Sequence, residues 1–154
     1  MTPTKEETDL WIALNLSHRR VHREMEHALA SAGLPPLKWY DVLWAIEMAG
    51  AGGVRASKLK DWLLFEQSSL SRVLRSLIER GLVSESVCDV DKRAKTLKVT
   101  TEGAELRLKM WRIYGEQIHL HMKKVTDIES SGALLHALRS LLTQDEPIIR
   151  GSEK

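Results

Sequence analysis

The sequence predicts a mainly α fold: a winged helix-turn-helix with N- and C-terminal helical dimerisation arms and a two-stranded β-wing. Three observations predict it. In EQSSLSRVLRSLIERGLV, residues 66–83, apolar side chains fall at Leu70, Val73, Leu74, Leu77 and Ile78, the spacing of a helix with one buried face. Just after Gly81 the apolar period drops to two, in LVSESVCDV and again in TLKVT, with the charged stretch DVDKRAK between them; two short strands around a polar tip read as a hairpin. Long amphipathic helical patterns stand at both ends of the chain.

Each element has its own signal. Thr4 and Glu7 have the T-x-x-E form of a capping box, opening a helix to about residue 30 with a stripe of Leu10, Leu14, Val21, Met25 and Ala28. Gly33 stops it, and Pro35-Pro36 precede a second helix over 37–48 that is apolar on most sides. The AGAGG stretch at 49–53 is a turn. A short helix follows over 56–64, with Leu59, Trp62 and Leu63 inward, and the FEQS link leads into the helix that ends at Gly81. Two helices a few residues apart, the second with a polar outer face, form a helix-turn-helix. After the hairpin, Thr100 or Thr101 caps a helix to about residue 124, with Leu106, Met110, Ile113, Ile118 and Met122 along it. A second T-x-x-E, Thr126 to Glu129, predicts the start of a last helix to about residue 143, striped by Leu134, Leu135, Leu138, Leu141 and Leu142. The organisation expected is one intertwined domain: a dimerisation helix over 1–33, a winged region over 34–100 and dimerisation helices over 101–154. The terminal stripes need burial, and a two-fold homodimer built from both ends supplies it.

Composition bounds the function. With 43% hydrophobic and 29% charged residues among 154, the chain is globular rather than disordered. Apolar runs are too short to span a bilayer, and MTPTKEETDL lacks the apolar core of a signal peptide. The lone Cys88 excludes an internal disulfide and a cysteine-based zinc site. These features predict a cytoplasmic protein. No G-x-S-x-G, P-loop or H-E-x-x-H occurs, so no catalytic motif is present and no enzyme or cofactor is expected. His18 and His22 stand at i, i+4, a metal-chelating interval, and His119 and His121 at i, i+2, a poor one on a helix. Few acidic partners are placed near them, so no metal site is predicted.

The net charge is only +2, but residues 55–98 hold ten basic side chains against six acidic ones, net +4, which leaves −2 for the remainder. A basic centre suits a polyanion. Gln67, Ser68, Ser69, Ser71, Arg72 and Arg75 have lengths and hydrogen-bonding groups suited to base edges and phosphates in a major groove. Arg72 and Arg75, three apart, share a helix face. Lys58 and Lys60 suit the backbone, and the hairpin tip carries Asp91, Lys92, Arg93 and Lys95. The expected partner is double-stranded DNA with two half-sites, pseudo-palindromic if the protein is a two-fold dimer.

These residues together resemble the MarR family of bacterial transcriptional regulators over nearly the whole chain. The pattern G-L-V … D-x-R … L-T-x-x-G is met here by Gly81, Leu82, Val83, Asp91, Arg93, Val99, Thr100 and Gly103. SSLSRVLRSLIERGL resembles the family's recognition helix and LPPLKWYDVL its second helix. One departure is clear: Glu85 stands where the family usually has a basic residue, two positions after G-L-V, which predicts a weaker wing or a pairing of Glu85 with a nearby arginine. The resemblance implies that Asp91 anchors Arg93 and that Arg93 enters the minor groove. It also implies a repressor released by a small aromatic or phenolic ligand held between the dimer helices and the winged region. Trp11, Asn15, His18 and His22 along one edge of the first helix, with Trp39, Tyr40 and Trp44 on the second, are the candidate ligand residues; His18, His22, Arg19 or Arg23 could meet a carboxylate. Some relatives sense oxidants through cysteines near the N-terminus, where this chain has none, and Cys88 reads as a small buried hydrophobe. Two other readings stay open: a constitutive DNA-binding regulator without an effector, and a winged helix that binds protein.

Overall fold

The structure, a computed structural model, describes residues 1–59, 63, 69–87 and 95–142. The elements run α1 (Lys5–Ser31), α2 (Leu37–Met48), β1 (Val54–Arg55), α3 (Ala56–Leu59), α4 (Leu70–Glu79), β2 (Val83–Val87), β3 (Lys95–Val99), α5 (Thr101–Thr126) and α6 (Ser131–Arg139). The fold is mainly α with a small antiparallel sheet, as the sequence predicts. The sheet has a third strand that the sequence reading misses. β1 pairs with β3, Val54 opposite Leu97 and Arg55 opposite Thr96, giving the order β1-β3-β2. Two residues after a glycine-rich turn are too short a run to show a period of two.

The helix ends follow local chemistry. Thr4 and Glu7 form the expected capping box: the Glu7 N–H donates to Thr4 Oγ1 at 3.2 Å, and the Thr4 N–H to the Glu7 carboxylate at 2.6 Å. Glu26 accepts from the Leu37 N–H at 3.2 Å, tying α1 to the start of α2. The second expected capping box is not formed. Thr126 is the last residue of α5, where its hydroxyl donates to the Lys123 carbonyl at 3.3 Å, and α6 starts five residues later, with Ser130 as its N-cap. The α5 backbone hydrogen bonds run on through Thr126, so its side chain turns back to its own helix. α6 also ends earlier than the leucine stripe suggests, at Arg139.

Two apolar clusters carry the packing. The first lies under the winged region, where α2, α3, α4 and the sheet bury Leu43, Ile46, Leu59, Leu77, Val83 and Leu97. The second joins α1, α2 and α5 through Met25, Leu29, Leu37, Tyr40 and Met110. Trp39, Trp44 and Leu106 pack against both, so displacement in one cluster meets the other within one side chain. The ends of the chain behave differently. Leu10, Trp11 and Leu14 on α1, Leu120 and Met122 on α5, and all five leucines of the last stripe are exposed; α6 buries no residue. No helix among the described residues is long and apolar enough to cross a membrane.

Candidate nucleic-acid interface

The centre of the site is α4. Leu70, Val73, Leu74 and Leu77 are buried against the winged core. The face opposite carries Ser71, Arg72 and Arg75, all exposed. Among the described residues no carboxylate holds either guanidinium, so both forks stay open to an external acceptor. Ser69 is half-buried at the helix start and Lys58 is exposed on α3. Gln67, Ser68 and Lys60, and at the tip Asp91, Lys92 and Arg93, lie outside the described residues, as does Cys88.

Three contacts fix how α4 is aimed: the Gly81 stop that the sequence marks, and two that sequence reasoning misses, at Thr100 and Arg80. At its end the Gly81 N–H donates to the Ile78 carbonyl and the Leu82 N–H to the Leu77 carbonyl, both at 2.9 Å. This is the Schellman closure, and it needs the left-handed φ of 71° that Gly81 adopts. Thr100 then joins the turn to α5: its hydroxyl donates to the Gly81 carbonyl at 2.7 Å and accepts from the Gly103 N–H at 3.1 Å, while its own N–H donates to the Leu82 carbonyl at 3.1 Å. Gly81, Leu82, Thr100 and Gly103, separate in sequence, meet at one point. Finally, the Arg80 guanidinium lies 5.2 Å from the centre of the Trp39 ring, a cation–π contact that ties the end of α4 to α2.

The wing strands leave the core in register, with Val83 opposite Val99, Glu85 opposite Leu97 and Val87 opposite Lys95. Glu85 finds its partner across the strands: Lys95 Nζ stands 2.9 Å from its carboxylate. The pairing expected with an arginine is with a lysine, and Lys95, expected on DNA, is engaged within the sheet.

The candidate ligand residues divide into two groups. Trp39, Tyr40 and Trp44 lie at the α2–α5 junction, where Tyr40 stacks on Trp111 at 5.8 Å and meets Tyr114 edge-on at 5.1 Å. Trp111 and Tyr114 belong to this aromatic set and are missed because the sequence reading follows only the aliphatic positions of α5. Trp11 and Asn15 stand far along α1, about 21 and 15 Å from Met25 at 1.5 Å per residue, and the Asn15 amide donates to the Trp11 carbonyl at 2.8 Å. His18 and His22 pack with ring centres 5.9 Å apart, on the way between the groups. Within one chain Trp11 and Asn15 stand apart from the α2–α5 junction, while His22 lies 3.9 Å from Glu26, which holds the start of α2. Among the described residues no set of three His, Cys, Asp or Glu side chains could hold a metal, although His121 meets Glu24 at 3.2 Å and His22 lies 3.9 Å from Glu26.

The aromatic junction also holds charge. Arg107 pairs with Glu47 and touches Tyr40. Asp41, 8% exposed, has its carboxyl pushed up to about 7, first by burial and then by the nearby Glu26. Burial also pushes the Tyr114 hydroxyl up to about 12.

The model of a winged helix DNA-binding domain matches residues 41–103, from Asp41 of α2 through the wing to Gly103 of α5. Solved structures resemble the chain along most of its length. Sco3205 of Streptomyces coelicolor, a MarR family transcriptional regulator in complex with DNA, is 19% identical with a TM-score of 0.81, covering 92% of this chain and 88% of its own. A mutant MarR of E. coli complexed with operator DNA is 21% identical with a TM-score of 0.71, covering 93% of this chain and 100% of its own. An organohalide sensing transcriptional regulator in its ligand free form is 20% identical with a TM-score of 0.71, covering 92% and 84%. The resemblance carried by Gly81, Val83, Thr100 and Gly103 therefore holds in three dimensions: this chain has the fold of the MarR family transcriptional regulators, built around a winged helix DNA-binding domain.

Proposed function

We propose that the protein is a homodimeric, sequence-specific DNA-binding transcriptional regulator of the MarR family, a repressor released by a small aromatic ligand. The observation that carries this reading is the outer face of α4, where Arg72 and Arg75 stand exposed beside Ser71 on a helix locked to its domain at both core and C-terminus. A helix of this kind fits a major groove, with arginine forks on guanine edges and serines on bases or phosphates. Lys58 and Lys60 steady the backbone, and Arg93, anchored by Asp91, reads the width of the adjacent minor groove together with Lys92.

Dimerisation is supported by the exposed apolar side chains of α1, α5 and α6, a surface that needs a partner. A two-fold partner sets the recognition helices on half-sites ~34–36 Å apart. Ligand response is supported by the Trp39, Trp44 and Leu106 bridge between the two clusters and by the organohalide sensing of a similarly folded regulator. A ligand favouring the spacing that does not match the half-sites lowers DNA affinity through a coupling of ~1–3 kcal/mol, a 5- to 150-fold effect.

The test is fluorescence anisotropy with duplexes tiled across the DNA upstream of the protein's own gene, at ~150 mM salt, on protein whose mass in solution is measured alongside. A dimer preferring one tile at least ~10³-fold over an unrelated duplex is expected. Arg72→Ala and Arg75→Ala should each cost ~1–3 kcal/mol on that tile and relax specificity at one base pair. Equal operator binding by parent and both variants removes these residues from readout. With the tile in hand, a panel of aromatic acids and phenols should include one that weakens binding 5- to 150-fold, and Trp39→Ala should blunt that response more than DNA binding itself. A panel without effect at saturating concentration points to constitutive binding.

A further inference from the structure

The wing carries a charge arrangement that the DNA-binding reading alone does not require. In an antiparallel pair, residues directly opposite share a face. Val83, Glu85, Leu97, Val99 and Lys95 therefore lie on one face of the β2–β3 hairpin, and Ser84, Thr96 and Lys98 lie on the other. Val83 and Leu97 are buried in the cluster that holds α4, so the shared face is the one turned toward the recognition helix. Glu85 and Lys95 continue that face outward, toward the tip. On the DNA-binding reading, a backbone lying between α4 and the wing would pass this position.

There the side chains already satisfy each other. Lys95 Nζ is 2.9 Å from the Glu85 carboxylate, with Lys95 62% and Glu85 34% exposed. An exposed pair of this kind contributes ~0–1 kcal/mol to stability, so it is a poor staple for the hairpin. Its electrostatic consequence for a polyanion is larger. The carboxylate occupies the ammonium where a phosphate oxygen would otherwise sit, and it adds a negative charge to a face that should attract DNA.

We propose that Glu85 is an internal competitor for DNA phosphate: it holds Lys95 away from the backbone and sets the affinity of the operator complex below what the wing could reach. This rests on the DNA-binding reading above. The partner group is a phosphodiester oxygen, and the contact is sequence-independent.

The experiment titrates the full-length parent, Glu85→Gln, Lys95→Ala and the double variant against the tightest upstream tile and an unrelated duplex, across a series of salt concentrations. Glu85→Gln should bind both duplexes about two- to fivefold more tightly at ~150 mM salt. Its plot of log K against log salt should steepen by about 0.9, one added phosphate. Lys95→Ala alone should change affinity less than about twofold, and in the double variant the gain should vanish. A gain cannot arise from misfolding, which would weaken binding. Parent binding with an unimproved Glu85→Gln overturns the proposal alone, as does a gain that survives loss of Lys95. If neither parent nor variant shows salt-dependent DNA binding, the DNA reading falls and the proposal falls with it.

Discussion

Gly103→Ala should destabilise the protein by about 3–5 kcal/mol, against the ordinary preference of helices for alanine. Gly103 lies in the first turn of α5, whose cap is Thr100. A Cβ there would fall on the Leu82 carbonyl oxygen, 2.9 Å from Val99 Cγ1 and 3.0 Å from the Leu82 carbonyl carbon. None of these is the yielding end of a flexible side chain. The Leu82 carbonyl already accepts from the Thr100 N–H, and the Leu82 N–H closes α4, so moving it opens both joints. The helix-propensity gain is ~1 kcal/mol, and the clash with the Leu82 backbone outweighs it. Gly115, in the same helix, is the control. A Cβ there meets Trp111 ring atoms at 3.4–3.7 Å, ordinary contact, so Gly115→Ala should gain about 0.5–1 kcal/mol. Thermal unfolding of both variants decides between them: Gly103→Ala should melt roughly 10 °C or more below the parent. Equal melting points for parent and Gly103→Ala would mean that α5 can step away from Leu82 without loss. Operator affinity should fall with stability in this variant, because the same turn aims α4.

That joint also shows what was legible in the sequence. Gly81 announced the end of α4, and Thr100 the start of α5, because caps are local and their chemistry is written in a few adjacent residues. The buried face of α4 was legible for the same kind of reason: a period of 3.6 is a property of one segment. That Thr100 bridges Gly81 and Gly103 was not, since it depends on the hairpin returning β3 beside β2. β1 was too short to show a period. Thr126 had the right neighbours for a cap and lost to the continuing α5 ladder. The α2–α5 junction was the least legible region. Trp39 and Tyr40 read as aromatic positions on a helix, yet the sequence held no sign that Arg80 would lie over Trp39 or that Trp111 and Tyr114 would come to Tyr40. Those meetings are set by packing between segments tens of residues apart. The outer face of α4 was visible as a set of residue types, but that its guanidiniums lack carboxylate partners among the described residues is a tertiary fact.

Asp41→Asn should stabilise the protein, and by an amount that depends on pH. Asp41 was hidden by its apolar neighbours on α2, of which Tyr40, Val42 and Leu43 are buried beside it. Its carboxyl is pushed from 3.8 to about 7 by burial, with Glu26 of α1 adding to the rise. Tyr114 of α5 titrates in the same electrostatic surroundings. Because the folded value lies above the unfolded one, the folded state holds the proton more tightly. The stability tied to that proton is fully present below about pH 4 and is lost as pH rises through about 7. A difference of about three units corresponds to about 4 kcal/mol at pH 8. Asparagine has nearly the same shape and no charge to bury. Asp41→Asn should therefore exceed the parent by up to about 4 kcal/mol at pH 8, by about half that at pH 5, and by less than about 1 kcal/mol near pH 4. Urea unfolding of parent and variant at the three pH values reads this directly. An advantage that stays constant with pH would mean that asparagine improves packing or hydrogen bonding and that the acid does not titrate near neutrality. A variant less stable than the parent at every pH would mean that the carboxylate makes a favourable interaction stronger than its desolvation. The acid stands where α1, α2 and α5 meet, beside Tyr40 and one side chain away from Trp39 and Trp44, which pack against both clusters. Ionisation there sets a second negative charge against Glu26 of α1, so stability falls as pH rises through the Asp41 value.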